Sequence, residues 1–274
     1  MKDLSTMLTV LHYEGTFTDI SEKLGDFGDG TAAVTLTATG SLYLGYTKPF
    51  TSAYISLATA STGSRTLQVE AFDGTSWGYC RKVDDTNGLT RSGNIQWTPP
   101  ASNAKATVGG NEQYWVRLSV GTATSATSLK AVSQLFSDDR DLLALNPRIL
   151  DADFLLGQAS HELHHVMSRD EIVQAFRNKG RRGRDSAQLW TTLTFWDLYD
   201  VQEVRLAAAH LAASKVFMTV ANSGQADDRW LAKARFHKGE YEKAIKVAYT
   251  SFADDVSGGQ KPQTLVGVNI LRRG

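Results

Sequence analysis

Between Val204 and Ala221 the chain runs eighteen residues of which thirteen are apolar. The five polar ones, Arg205, His210, Ser214, Lys215 and Thr219, are scattered rather than gathered on one side. A surface helix needs a single apolar stripe, so one that is greasy almost all round must be covered on several sides. Asn222-Ser223-Gly224 supplies a stop, with Gly224 suited to the left-handed position past a helix C-terminus. A second helix follows, capped by Asp227 or Asp228, with Trp230, Ala234, Tyr241, Ala244, Ile245, Ala248 and Phe252 at helical spacing. Arg229, Lys233, Lys238, Glu242, Lys243 and Lys246 fill its other side. The pair is expected to form an antiparallel hairpin whose first member needs more neighbours than this half of the chain supplies.

The rest of the 274 residues divides near residue 137, because 21 of 27 threonines and 14 of 23 glycines lie before that point. There, short runs read as strands: Ala33–Thr39, Leu42–Tyr46, Ala53–Leu57, Leu67–Phe72, Tyr114–Val120 and Leu129–Phe136. Turn signals such as Asp73-Gly74, Asn87-Gly88 and Gly109-Gly110 separate them. Alternation predicts one wet and one dry face, and close spacing favours a sandwich or jelly roll over a βαβ fold. Trp77, Trp97 and Trp115 are the expected core anchors.

Past the division, Ser137–Asp141 reads as a polar break and Leu142–Leu150, interrupted by Pro147, as a connector. Ala152–Val166 and Asp170–Arg177, the latter capped by Ser168, read as helices. Leu189–Tyr199 is open between strand and helix. Gly258–Pro262 ends the last helix, and Leu265–Leu271 is a spare apolar strip. The expected fold is therefore α+β: an antiparallel β-sandwich or jelly-roll domain over 1–137, an α-helical bundle domain over 138–257 and an extended tail over 258–274.

Lys plus Arg equals Asp plus Glu at 29 each, so no global charge argues for nucleic acid or an anionic membrane. The single cysteine, Cys80, excludes an internal disulfide framework. With no run of eighteen apolar residues and no signal-peptide pattern at the N-terminus, a soluble chain that does not cross a membrane is expected.

Few motifs carry chemistry. His161-Glu162-Leu163-His164-His165 satisfies His-Glu-x-x-His, which on a helix offers His161 and His165 to zinc and Glu162 as general base. A basic residue at position 164 and the want of an obvious third ligand beyond Glu203 or Asp185 favour a histidine-bearing structural helix instead. Lys179, Arg181, Arg182 and Arg184 form a basic loop able to neutralise phosphates or simply to be solvated. Cys80 has no His pattern beside it, and Asp84–Gly88 reads as a turn rather than a calcium loop. Aromatic residues over 40–120 raise a carbohydrate-binding reading, against which core packing is favoured. No cofactor is expected.

Asp197–Val201 running into Leu206–Leu211, then Trp230–Ala234, Glu240–Ala244 and the extended tail, resemble the head-to-tail adaptor proteins of tailed bacteriophages. Tyr43–Phe50, Phe72–Trp77, Ser92–Trp97 and Tyr114–Leu118 are similar to a β-sandwich appended to phage neck and baseplate proteins. The resemblance implies a non-enzymatic virion protein made in the host cytoplasm. It implies a homo-oligomeric ring, typically a 12-mer, at the neck between the portal protein and the next tail-side protein. Leu265, Val266, Val268, Ile270, Leu271, Arg272 and Arg273 would then be the portal-binding tail. The loop Lys179, Arg181, Arg182 and Arg184 would face DNA or the portal, with no membrane partner. The rival readings are a zinc-dependent hydrolase using His161, Glu162 and His165, and a carbohydrate-binding decoration protein.

Overall fold

The computed structural model describes residues 8–25, 27, 31–34, 36, 39–63, 65–121, 127–184, 190–223, 228–248, 250–253 and 260–263. The fold is α+β, strands first and helices after. Two compact units emerge: residues up to Gln134 with Arg182–Tyr199, and Leu135–Arg181 with Asp200–Phe252. The sequence division at 137 is thus followed by a return of the chain, at 182–199, to the first unit.

In the first unit, β1 (Thr9–Tyr13), β2 (Phe17–Asp19), β4 (Ser41–Tyr46), β6 (Leu67–Phe72), β7 (Trp77–Tyr79), β10 (Lys105–Val108) and β11 (Asn111–Val120) form one antiparallel sheet. Its order is β2-β1-β4-β11-β6-β7, with β10 pairing the first half of β11 and β6 the second. The other sheet orders β3 (Ala32–Val34), β12 (Thr127–Ser133), β5 (Ser52–Thr59), β9 (Gly93–Thr98) and β8 (Arg81–Asp84) as β3-β12-β5-β9-β8. Leu42, Leu44, Val69, Val116 and Leu118 from the first sheet share one core with Ile55, Ile95, Trp97, Leu129 and Val132 from the second. That shared core makes a sandwich.

The expected wet face of the first sheet is not wet around β4, all six of whose residues are buried. Tyr43, pointing away from the shared core, lies edge-on to Phe17 and Trp77, with ring centroids 5.3 and 5.6 Å away. It joins Leu11, Val108 and Trp115 in a second small core. Aromatic rings laid over the outer surface have replaced solvent, each such pair adding about 1 kcal/mol beyond its buried area. Gly45 lies opposite Trp115, and a Cβ there would come within 2.5 Å of that ring. Only glycine leaves room for the indole.

The returning segment is the reason Leu189–Tyr199 read ambiguously. Gly183–Arg184 and Trp190–Thr191 pair as a short ladder, and Phe195–Asp197 is a single 3-10 turn closed by a Thr194–Asp197 capping box. Trp196 packs on Tyr46 and Phe50 in the sandwich core.

The second unit is helical. It holds α2 (Asp139–Leu145), α3 (Ala152–Leu155), α4 (Glu162–Asn178), α5 (Gln202–Asn222) and α6 (Asp228–Val247), while α1 (Ser21–Leu24) belongs to the sandwich unit. Ser137–Asp141 is not a break: the Asp138 side chain accepts from Arg140 N, Asp141 returns a bond to Asp138 N, and α2 starts there. The helix expected over Ala152–Val166 stops at Leu156, which takes φ +48° ahead of Gly157 at +83°. It restarts at Glu162 and runs unbroken through Ser168, so that residue is no cap; its hydroxyl donates to His164 O at 2.7 Å. The last helix ends at Val247 rather than near Phe252. Gly224, Asp227 and residues 264–274 lie outside the described residues.

The greasy helix α5 finds its cover within its own chain, against α6, α4, α2 and α3. Each of its five polar interruptions meets a neighbouring helix. Arg205 Nε donates to Asp141 Oδ1 at 2.7 Å, and Lys215 Nζ to Glu171 Oε2 at 2.6 Å. Ser214 Oγ donates to Ala234 O at 2.8 Å, His210 Nδ1 meets His237 Nδ1 at 3.0 Å, and Thr219 Oγ1 meets His164 Nε2 at 3.2 Å. Scattered polarity on an apolar helix is here a set of fasteners. By length and composition α5 could span a membrane, yet 61% of that apolar window is buried in the protein. The neighbours that α5 was expected to need are supplied in large part by α2, α3, α4 and α6.

Candidate functional site

His161 and His165 sit one turn apart at the start of α4, as the motif requires, but both rings are engaged inside the helical unit. His161 Nε2 meets Ile149 O at 2.7 Å, which fixes that nitrogen as the protonated donor. His165 Nδ1 meets Ser137 Oγ at 2.9 Å and its Nε2 meets Asp139 Oδ1 at 3.1 Å. Asp139 also accepts the His161 backbone N–H at 3.2 Å, so one carboxylate at the start of α2 anchors the start of α4. Burial pushes the Asp139 carboxyl upward, and the His165 hydrogen bond and charge outweigh it, leaving the pKa below its ordinary value. Burial lowers His161, and lowers His164 to about 4.

Ser137, His165 and Asp139 superficially form a serine-histidine-aspartate relay, but Ser137 and His165 are buried, so no substrate carbonyl reaches the hydroxyl. Among the described residues no group of three His, Cys, Asp or Glu side chains is placed to hold a metal ion. The spacing suits zinc, but His161 Nε2 and both His165 nitrogens are engaged with Ile149, Ser137 and Asp139.

Lys179 follows the last turn of α4, Gly180 takes φ +78°, and Arg182 is exposed. The side chain of Arg184 lies outside the described set, as do all of Leu265, Val266, Val268, Ile270, Leu271, Arg272 and Arg273. In the sandwich, Trp97 and Trp115 are buried, their indole N–H groups donating to Phe50 O at 3.1 Å and Ala106 O at 3.0 Å. Trp77 is half-buried and Tyr79 is 74% exposed. Burial raises the Cys80 thiol to about 11, which removes it as a nucleophile at neutral pH. Asp84 closes the Asp84–Gly88 turn by accepting from Thr86 N and Gly88 N, so those oxygens are occupied without a cation.

Sequence reasoning missed two surface features of the helical unit. One is an apolar groove of about 430 Å³ where the start of α5 passes the end of α6, lined by Leu206, Ala207, Ala244, Val247 and Ala248 with Glu203 at its rim. Leu206 and Val247 are 60% and 72% exposed there. Leu206 belongs to the apolar run of α5, while Val247 falls outside the apolar stripe read for α6, and a sequence does not tell a covered position from an open one. The other is a basic cleft at the opposite end of the hairpin, near Trp230. Comparison with known proteins finds no matching family model, no matching curated protein and no matching solved structure.

Proposed function

We propose that this chain is a structural, non-catalytic virion protein, a head-to-tail adaptor of a tailed phage. It assembles as a ring, twelve copies by the resemblance, docks on the portal and continues the DNA channel toward the next tail-side protein. The observation that carries the reading is the open groove at Leu206 and Val247. After α5 has been covered by its own chain, this remains an apolar surface that a neighbouring copy can close, and heterologous contacts of that kind close into rings. The strip Leu265–Leu271 with Arg272 and Arg273 is the proposed portal contact, and Lys179, Arg181, Arg182 and Arg184 the proposed DNA- or portal-facing loop. Electron microscopy of particles carrying a tagged copy tests it: label in a collar at the capsid exit is expected, and label anywhere else removes the reading.

A second reading, a carbohydrate-binding decoration, is favoured by one observation: exposed Tyr79 and half-buried Trp77 on the edge strand β7 of the sandwich. Glycan binding abolished by Trp77→Ala and Tyr79→Ala is its test, and binding unaffected by both removes it.

A further inference from the structure

Lys48 and Asp197 meet inside the sandwich unit. Lys48 follows β4, and Asp197 closes the 3-10 turn of the returning segment. Lys48 Nζ donates to Asp197 Oδ1, with only 8% and 3% of the two side chains exposed. Among the described residues, this carboxylate is the one hydrogen-bond partner of Nζ. The lysine–carboxylate pairs of the helical unit, Lys215–Glu171, Lys238–Glu171 and Lys243–Glu240, are all partly open to water.

The surroundings of the buried pair are aromatic. Trp196, next to Asp197 in the chain, lies 5.7 Å from Tyr46 and 5.9 Å from Phe50, centroid to centroid. In so dry a place separated charges are costly, and moving one proton from the ammonium to the carboxylate leaves a neutral amine beside a neutral acid. A desolvated lysine amine is a nucleophile, and the fold holds it against the carboxyl group it can attack.

The far oxygen of the same carboxylate is held as well. Asp197 Oδ2 accepts from Thr194 N at 2.6 Å and from Thr194 Oγ1 at 2.9 Å, and Tyr46 in turn hydrogen-bonds Thr194. Two donors on one oxygen stabilise the negative charge that develops there when a nucleophile adds to the carbon. One carboxyl group thus has an amine at its first oxygen and an oxyanion pocket at its second.

We propose that Lys48 and Asp197 condense into an intramolecular amide, with Thr194 holding the oxygen that becomes its carbonyl. Nζ bonds to Cγ of Asp197, and the Cγ–Oδ1 bond breaks. Of the three ammonium protons, two leave with Oδ1 as water and one stays on the amide nitrogen, so no oxidant, reductant or co-reactant is needed. The ion pair is the state before the bond forms, and its stability is that of the unlinked chain. The product carries no charge, keeps Oδ2 on its Thr194 donors and ties the returning segment covalently to the chain just past β4. No second copy takes part, so the bond forms whether or not the chain builds a ring.

Intact-mass spectrometry of the denatured full chain tests this. The native chain should be lighter than its sequence by one water, and proteolysis should release a branched peptide joining the Lys48 and Asp197 segments. Lys48→Arg keeps the positive charge but not the ammonium, and should return to the full sequence mass. Asp197→Ala should do the same. Followed after cell-free synthesis, Thr194→Val should lose water at least about tenfold more slowly, since one of the two oxyanion donors is gone. A native chain at full sequence mass, with Lys48 and Asp197 recovered in separate linear peptides, overturns the bond whether or not any variant folds. So does a lost water that maps to an Asp-Gly step such as Asp73-Gly74, where a succinimide is the cause. Water lost by Thr194→Val at the native rate overturns the part given to Thr194.

Discussion

Lys48 and Asp197 stand 149 residues apart in the chain and form an ion pair with both side chains buried in the sandwich unit. Asp197 uses its second oxygen to accept from Thr194 N at 2.6 Å and Thr194 Oγ1 at 2.9 Å, so the buried carboxylate is satisfied on both sides. Burial and then the Asp197 charge raise the pKa of neighbouring Tyr46, which keeps its hydroxyl protonated.

Removing one partner strands the other charge away from water. Asp197→Ala should therefore cost about 3–5 kcal/mol in urea unfolding, while Lys48→Met/Asp197→Leu should recover most of the loss. A single-variant cost below about 1 kcal/mol would mean that water reaches the ammonium and the pair is not a buried one.

Gly88 combines φ +68° with a Cβ position only 2.0 Å from the Arg65 carbonyl oxygen. Gly15 has a similar φ of +80° and open space around it. Gly15→Ala should cost about 1–2 kcal/mol, the ordinary penalty of a left-handed alanine. Gly88→Ala should cost clearly more, because the backbone must move as well. Equal melting temperatures for the two variants would contradict that account.

The helical unit should weaken on mild acidification. Burial first, then the nearby charges of His210 and Lys233, lowers His237 to about 4 from 6.5, with Glu240 opposing. The unfolded chain then binds more protons than the folded one between those values. Stability is full above pH 6.5 and falls as the pH drops toward 4, on the order of 2 kcal/mol for this imidazole once solvent screening of a half-buried group is allowed for. Asp139 and Glu171, both lowered, add losses at still lower pH. His237→Phe, which preserves stacking on Phe217, should flatten the upper part of this acid limb; an unchanged slope would refute the assignment.

The histidines at the start of α4 make a metal prediction. Because His161 and His165 already hold Ile149, Ser137 and Asp139, chelator or equimolar zinc should leave the unfolding midpoint unchanged. Zinc retained in one-to-one ratio, and lost on replacing both by Ala, would restore the hydrolase reading.

The long elements were legible in the sequence because a period repeated over five turns outweighs local accidents. Both α5 and α6 begin and end within a few residues of where apolar spacing puts them, although α6 stops at Val247, short of Phe252. Short-range signals competed less well. Ser168 has the chemistry of a cap, but inside α4 its hydroxyl bonds back to His164 O instead. Leu156 in a left-handed conformation is not a position that residue type announces. Nor does alternation reveal that Phe17 and Trp77 fold over Tyr43, since burial of an outer face depends on partners far along the chain. In the candidate sites, residue type and spacing were readable, whereas occupancy of the ring nitrogens and convergence of Arg148 with Arg229 and Lys233 depend on tertiary structure.

The return of residues 182–199 to the sandwich has a practical consequence for anyone dividing this chain. Severing it at residue 137 would remove the Trp196 ring from the interior of the β-layers and leave the Lys48 ammonium without its counter-ion. The β-layers are not a cassette that can be excised or transplanted by one cut, because part of their unit is encoded downstream of α4.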